Sequence, residues 1–127
     1  MLKMSVKTKL DQLEALDRVT KYFEEKGLTL LEGGAHLHGR GGFIETRVSG
    51  GKLLGNAEYD AKIVLNDLTK YIENKFGFQA VESSLHFHTP IGFVDVSVSS
   101  EKPIEVTFET MEYEYQVREC ADKLPKA

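Results

Sequence analysis

Hydrophobic residues recur with the period of a helix in two stretches of the chain. The first begins after Asp11, which with Glu14 has the spacing of a capping box, and ends at Gly27, a residue suited to terminate a helix. Its apolar positions are Leu13, Leu16, Val19 and Phe23. The second ends at Gly77 and carries Leu65, Leu68, Ile72 and Phe76. Each set lies on one helical face, so the pattern predicts two amphipathic helices.

Two short segments leave the choice of element open. Residues 59–66 also alternate with the period of a strand, since Tyr59, Ala61, Ile63 and Leu65 share one side. The segment "SVKTKL", residues 5–10, is a candidate strand before the first helix. Each helix therefore belongs to either an αββ or a βαββ unit.

Each predicted helix is followed by two extended segments around a short turn. The sequences "GRGG" at 39–42 and "TPIG" at 89–92 have the residue types of four-residue hairpin loops. That register places His36 opposite Glu45 and His86 opposite Asp95. A period of two then sorts the apolar positions onto one face, which the helices should cover. These positions are Ala35, Leu37, Ile44, Val48, Leu85, Phe87, Val94, Val96 and Val98. All the histidines fall on the other face.

The C-terminal region alternates as well. Residues 103–117 carry apolar side chains at Ile104, Val106 and Phe108 and then, after a change of parity, at Met111, Tyr113, Tyr115 and Val117. This pattern predicts a terminal strand with a bulge, or two short strands.

The two predicted units resemble each other at an offset of fifty residues. Between positions 27–52 and 77–102, nine of twenty-six residues are identical, among them both histidines of "HLH" and "HFH" and the pair Glu32 and Glu82. A tandem duplication is the simplest explanation of such a repeat. We predict a first repeat at about 5–52, a second at about 57–102 and a C-terminal strand at about 103–117, all within one domain of 127 residues.

Together these elements predict an α+β fold. A helix followed by two strands, repeated in tandem, fits a ferredoxin-like or ACT-like arrangement with an antiparallel sheet and the helices on one face. The internal twofold axis of such a sheet should hold the two histidine pairs apart within one chain.

Composition narrows the range of functions. The formal charge of −4 argues against a surface that binds nucleic acid, and the N-terminus lacks the apolar segment of a signal peptide. No run of aliphatic residues is long enough to span a membrane, so we expect a cytoplasmic protein without a membrane partner. The chain has one cysteine, Cys120, which we interpret as an incidental thiol.

The candidate chemistry lies in the two His-x-His pairs, which contain all four histidines of the chain. On a strand, residues i and i+2 point the same way about 7 Å apart, so each pair offers two neighbouring imidazoles to a metal. Imidazole suits divalent zinc, nickel, cobalt or iron, and a carboxylate across the hairpin supplies a third ligand or a hydrogen-bonding partner. The predicted metal-binding residues are His36, His38, His86, His88, Glu45 and Asp95.

The segment "SSLHFHTPIGFVDVSVSSE" resembles the His-x-His strand and the strand after it in the ACT-like metal-binding domain of nickel-responsive repressors. The resemblance covers about twenty residues and implies that His86 and His88 are metal ligands. The shorter match "AHLH" implies the same for His36 and His38.

The His-hydrophobic-His pattern is also similar to that of HUH endonucleases. In that family the histidines hold a divalent metal on an open sheet face, and a helical tyrosine attacks single-stranded DNA. The tyrosines that this resemblance would use are Tyr22 and Tyr71, each in the sequence "TKY".

The sequence therefore favours a module that senses or holds a transition metal. Two alternatives remain, a metal-dependent enzyme such as an HUH-like phosphodiesterase, and a protein-interaction module without a metal. Phe43 and Phe93 share the face of the histidines, and exposed aromatic surface beside a binding site is typical of a contact. We therefore expect a homodimer or a higher homo-oligomer that forms through this face.

Overall fold

The computed structural model of the chain describes residues 1–49 and 61–127. Within these ranges the elements are β1 (Leu2–Thr8), α1 (Gln12–Glu25), β2 (Thr29–Gly39), β3 (Gly42–Ser49), α2 (Ala61–Phe76), β4 (Gln79–Thr89), β5 (Gly92–Ser99), β6 (Ile104–Met111) and α3 (Glu114–Lys123). The end of the first predicted repeat, the start of the second and Tyr59 lie outside the described residues. None of the described helices is long and apolar enough to cross a membrane.

The strands form one antiparallel sheet of six strands in the order β1-β6-β5-β4-β2-β3. The predicted α+β class and the antiparallel sheet are therefore confirmed, and the ferredoxin-like or ACT-like assignment stays a prediction. The central contact joins β2 and β4, the first strands of the two hairpins. The first hairpin, β2 and β3, consequently forms one edge of the sheet, and the second, β4 and β5, lies between β2 and β6.

The helix boundaries follow the capping residues. The Asp11 side chain accepts a hydrogen bond from the backbone N–H of Glu14 at 2.8 Å, and the Glu14 side chain accepts one from the backbone N–H of Asp11 at 3.3 Å. Gly27 and Gly77 follow α1 and α2 with φ of 87° and 70°, a region that glycine enters without a steric cost. The predicted helix start and both predicted stops are confirmed.

One hydrophobic core lies between the sheet and all three helices. Its largest fully buried side chains include Phe23 of α1, Phe87 of β4 and Phe108 of β6, and the Phe23 ring lies 5.3 Å from that of Phe87. The predicted core face of the hairpins is buried, apart from Ile44, which is half-buried. On the helices, the predicted core positions Leu13, Leu68 and Phe76 are instead exposed.

Two element predictions need correction or completion. The strand predicted over 103–117 ends at Met111, and residues 114–123 form α3. Glu112 has φ of 76°, a left-handed conformation that ends the strand and turns the chain into the helix. The ambiguous segment 59–66 is helical from Ala61 onward, so β1 precedes α1 but the described part of the second unit begins with α2.

Candidate metal centre

The two hairpins have the register that their turn residues predict. Gly39 pairs with Gly42, which places His36 opposite Glu45 and His38 opposite Phe43. In the second hairpin, Thr89 pairs with Gly92, His86 lies opposite Asp95, and His88 lies opposite Phe93. All four histidines therefore lie on the sheet face that the helices leave open.

In the first pair, a carboxylate holds the ring of His36. Nδ1 of His36 lies 3.1 Å from Oε1 of Glu45, and because a carboxylate can only accept, Nδ1 carries the proton. Nε2 of His36 faces Nε2 of His38 at 2.6 Å, and in a neutral His36 ring protonated at Nδ1 this nitrogen accepts a hydrogen bond from Nε2–H of His38. Glu45 thus fixes the His36 ring with its second nitrogen directed at its neighbour on the strand.

The second pair repeats the carboxylate contact. Nδ1 of His86 donates to Oδ1 of Asp95, and the His86 ring stacks on Phe93 with centroids 6.1 Å apart. The rings of His86 and His88 lie 5.8 Å apart at an interplanar angle of 30°, which leaves a wider gap than in the first pair. Both hairpins therefore present a carboxylate-bound imidazole next to a second imidazole.

The two pairs are separate in one chain. In the contact between β2 and β4, Glu32 lies opposite His86 and Glu82 lies opposite His36, so His36 and His86 are offset by four residues along the strands. With this offset and the spacing of neighbouring strands, the backbone positions of His36 and His86 are about 14 Å apart. Among the described residues, no three side chains of His, Cys, Asp or Glu converge closely enough to hold a metal ion.

Glu32 and Glu82 are two neighbours of the histidines that the sequence analysis did not assign to the site. Glu82 and His36 line one open cleft of about 170 Å³ together with Glu45, and Glu32 and His86 line another of about 330 Å³ together with Asp95. Their matching positions in the two predicted repeats were the one signal in the sequence. The contact of β2 with β4, which places them beside the histidines, is not visible in local patterns.

A row of small side chains crosses the open face and lines parts of both clefts. Gly34, Ser84, Ser97, Thr107 and Ser5 succeed one another across five strands. Ser5 and Thr107 are hydrogen-bonded at 2.8 Å between their hydroxyl oxygens. The middle of the open face therefore carries only short side chains, and the longer side chains of the histidines and carboxylates lie on either side of it.

The tyrosines of the HUH-like hypothesis lie on the other side of the sheet. Tyr22 belongs to α1 and is buried, and its hydroxyl donates to Oε1 of Glu119 at 2.6 Å. Tyr71 belongs to α2, which packs on the same sheet face as α1. The structure does not bring either tyrosine together with the histidines.

Cys120 is buried between α3 and the rest of the core. Burial raises the pKa of its thiol to about 12, so the thiolate is not formed at neutral pH. The side chain acts as a small hydrophobic group, in agreement with its interpretation as an incidental thiol.

Comparison of the chain with known protein families, with curated proteins and with solved structures gives no match.

Proposed function

We propose that the chain is a module that binds a divalent transition metal, zinc, nickel, cobalt or iron, through its two His-x-His pairs. The observation that carries this proposal is that Nδ1 of the first histidine in each pair contacts a carboxylate across the hairpin, Glu45 or Asp95. Histidines that ligate metals commonly donate their other ring N–H to a carboxylate, which fixes the ring and makes it a better ligand.

The donor chemistry of the first pair fits a metal after a small adjustment. Two nitrogens that bind zinc at 2.0–2.1 Å in a tetrahedral arrangement lie about 3.4 Å apart. The Nε2 atoms of His36 and His38 are 2.6 Å apart, so their rings must separate by less than about 1 Å. A metal would replace the hydrogen-bonded proton between the two rings, and both side chains are accessible enough to rotate.

Calorimetric titration of tag-free apoprotein at pH 7.5 tests the proposal. We expect heat of binding and a rise of the thermal unfolding temperature with at least one of zinc, nickel and cobalt. Protons compete for imidazole nitrogen, whose ordinary pKa is about 6.5, so the affinity should fall when the titration is repeated at pH 6. A variant with all four histidines changed to Gln is the matched control. No heat and no stability shift with any of the ions would reject metal binding.

We also propose that the two units arose by tandem duplication. In support, β2 and β4 each have 11 residues, and β3 and β5 each have 8. In both hairpins the first histidine lies opposite a carboxylate and the second opposite a phenylalanine. A test is to express each half alone and together, since related halves should associate and restore the metal affinity of the intact chain.

Self-association through the open face is a further part of the proposal. Phe43 lies on this face beside His36 and is 63% exposed, so the histidine face carries aromatic surface of the kind that marks contacts next to a binding site. A second copy that covers it would also bring donors to metal positions that one chain leaves open. Sedimentation of the wild type and of a Phe43→Glu, Phe93→Glu variant tests this, since an unchanged mass in the variant would exclude the interface.

A further inference from the structure

We infer that each histidine pair takes its third metal ligand from the other hairpin, Glu82 for His36 and His38, and Glu32 for His86 and His88. This inference rests on the proposed metal binding and goes beyond it, because it names a crossed ligand set and two independent sites.

The strand register places each glutamate next to its histidine. Glu82 of β4 lies directly opposite His36 of β2, and Glu32 of β2 lies directly opposite His86 of β4. Residues opposite each other in an antiparallel pair have Cβ atoms about 5 Å apart and point to the same face. A glutamate side chain is long enough to bring a carboxylate oxygen to a metal held by the neighbouring imidazole.

The carboxylates within the hairpins cannot take this role while they hold the rings. Glu45 and Asp95 contact Nδ1 of their histidines, whereas a metal on these histidines binds Nε2, which lies at the far end of the ring. The other flank of each histidine is formed by the neighbouring hairpin. The carboxylates on that flank, opposite the histidines, are those of Glu82 and Glu32.

Both glutamates are available to move. Glu82 is exposed and makes no hydrogen bond or ion pair within residues 1–49 and 61–127. Glu32 lies 3.7 Å from the guanidinium of Arg47, a contact between two exposed groups that contributes little to stability. Within the part of the chain that the structure describes, neither side chain needs to break a strong interaction in order to reach the cleft that it shares with its histidine.

The resulting sites have two imidazoles and one carboxylate each. Three protein ligands leave at least one coordination position for water or a small molecule, which is the arrangement of open rather than structural metal sites. The clefts of about 170 and 330 Å³ open to solvent beside His36 and His86 and leave room for such a molecule.

Zinc titrations in two backgrounds test the crossed ligand set. The His86→Ala, His88→Ala background keeps only the first pair, and the His36→Ala, His38→Ala background keeps only the second. We expect Glu82→Gln to weaken zinc binding at least about tenfold in the first background and to have no effect in the second, with the reverse result for Glu32→Gln. Glu105→Gln, which removes another exposed carboxylate of the same face, is the matched control.

The outcomes separate the inference from the proposed function. If the wild type binds zinc but both glutamate variants behave like Glu105→Gln, metal binding holds and the crossed set is wrong. If each glutamate instead affects its own hairpin, or if either background loses all binding, the two sites are not built as inferred. If the wild type binds no metal, both conclusions fail together.

Discussion

Gly34 and Ser84 lie opposite each other at the contact of β2 with β4, and they are fifty positions apart in the sequence. His36 and His86 each follow two residues later on their own strand. Because the strands are antiparallel, the two histidines lie on opposite sides of this pair. The separation of the candidate metal positions is thus a direct result of where the two hairpins meet.

This separation predicts two independent metal positions. Replacing His36 and His38 by Ala should remove one equivalent of bound metal and leave the other, and replacing His86 and His88 should do the same. Calorimetry and elemental analysis of both double variants measure the stoichiometry. If either double variant loses all bound metal, the pairs would have to form one shared site.

Glu45 and Asp95, the carboxylates across the hairpins, should increase the affinity for the metal without being indispensable for binding. Glu45→Gln and Asp95→Asn keep the size of the side chain but weaken its hold on the histidine Nδ1–H. We expect each to reduce the metal affinity of its own hairpin about 10–100-fold. Glu105→Gln serves as the control for the lost charge, and equal affinities in all three variants would contradict an orienting role.

The alternation of faces predicts opposite results for two phenylalanines that are close to histidines. Phe87 is fully buried between His86 and His88 in sequence, whereas Phe43 is 63% exposed. Phe87→Ala should lower the free energy of unfolding by about 3–5 kcal/mol, because it leaves a cavity in the core. Phe43→Ala, measured at a protein concentration too low for self-association, should change it by no more than about 0.5 kcal/mol. Urea denaturation of the two variants checks the assignment of faces.

The close contact at Gly34 should not tolerate a side chain. A Cβ atom there would lie 2.9 Å from the carbonyl oxygen of Thr46 and 3.1 Å from Oγ of Ser84. We expect Gly34→Ala to destabilise the fold by about 1–3 kcal/mol. At Gly42 an added Cβ meets no atom within 4 Å, so Gly42→Ala is the matched control. Equal unfolding midpoints would show that the strands can move apart at no cost.

The hydrogen bond between Tyr22 and Glu119 predicts a pH-dependent stability. The bond from the Tyr22 hydroxyl lowers the pKa of Glu119 below its ordinary value of 4.5. A carboxyl group with a lowered pKa in the folded state stabilises the fold above its unfolded pKa and loses this effect as the pH falls through the folded value. Tyr22→Phe should therefore lower the unfolding temperature at pH 7, and the difference from the wild type should shrink in acid.

Tyr71→Phe is the control for the Tyr22 variant, because the Tyr71 side chain is 58% exposed. Thermal unfolding followed by circular dichroism between pH 3 and pH 7 gives both curves. A difference between the wild type and Tyr22→Phe that stays constant over this range would mean that Glu119 is not the partner that matters.

The hairpins could be predicted because local chemistry determines them. The turn residues fix the register, and alternation on strands then assigns Leu85 and Phe87 to the core and His86 and His88 to the open face. The end of the chain could not be predicted in this way. Val117, Cys120, Ala121 and Leu124 have helical spacing, but the alternation of Met111, Tyr113 and Tyr115 before them suggests a strand, and no glycine marks the break at Glu112.

The carboxylates that lie beside the histidines were harder to predict than the sheet face on which the histidines lie. Glu45 and Asp95 lie within nine residues of their partners and follow from the hairpin register. Glu32 and Glu82 approach the histidines only because β2 lies beside β4. The order of strands in a sheet depends on how the whole chain packs, and the alternation within one hairpin carries no information about it.

The alternation along β4 also affects how this protein can change over evolutionary time. Neighbouring positions have opposite roles, since 85 and 87 face the helices and 86 and 88 face solvent. Substitutions at the even positions can alter the open face with little change in folding, whereas those at the odd positions are constrained by the core. A lineage could therefore change the chemistry of its open face while its sheet and helices stay the same.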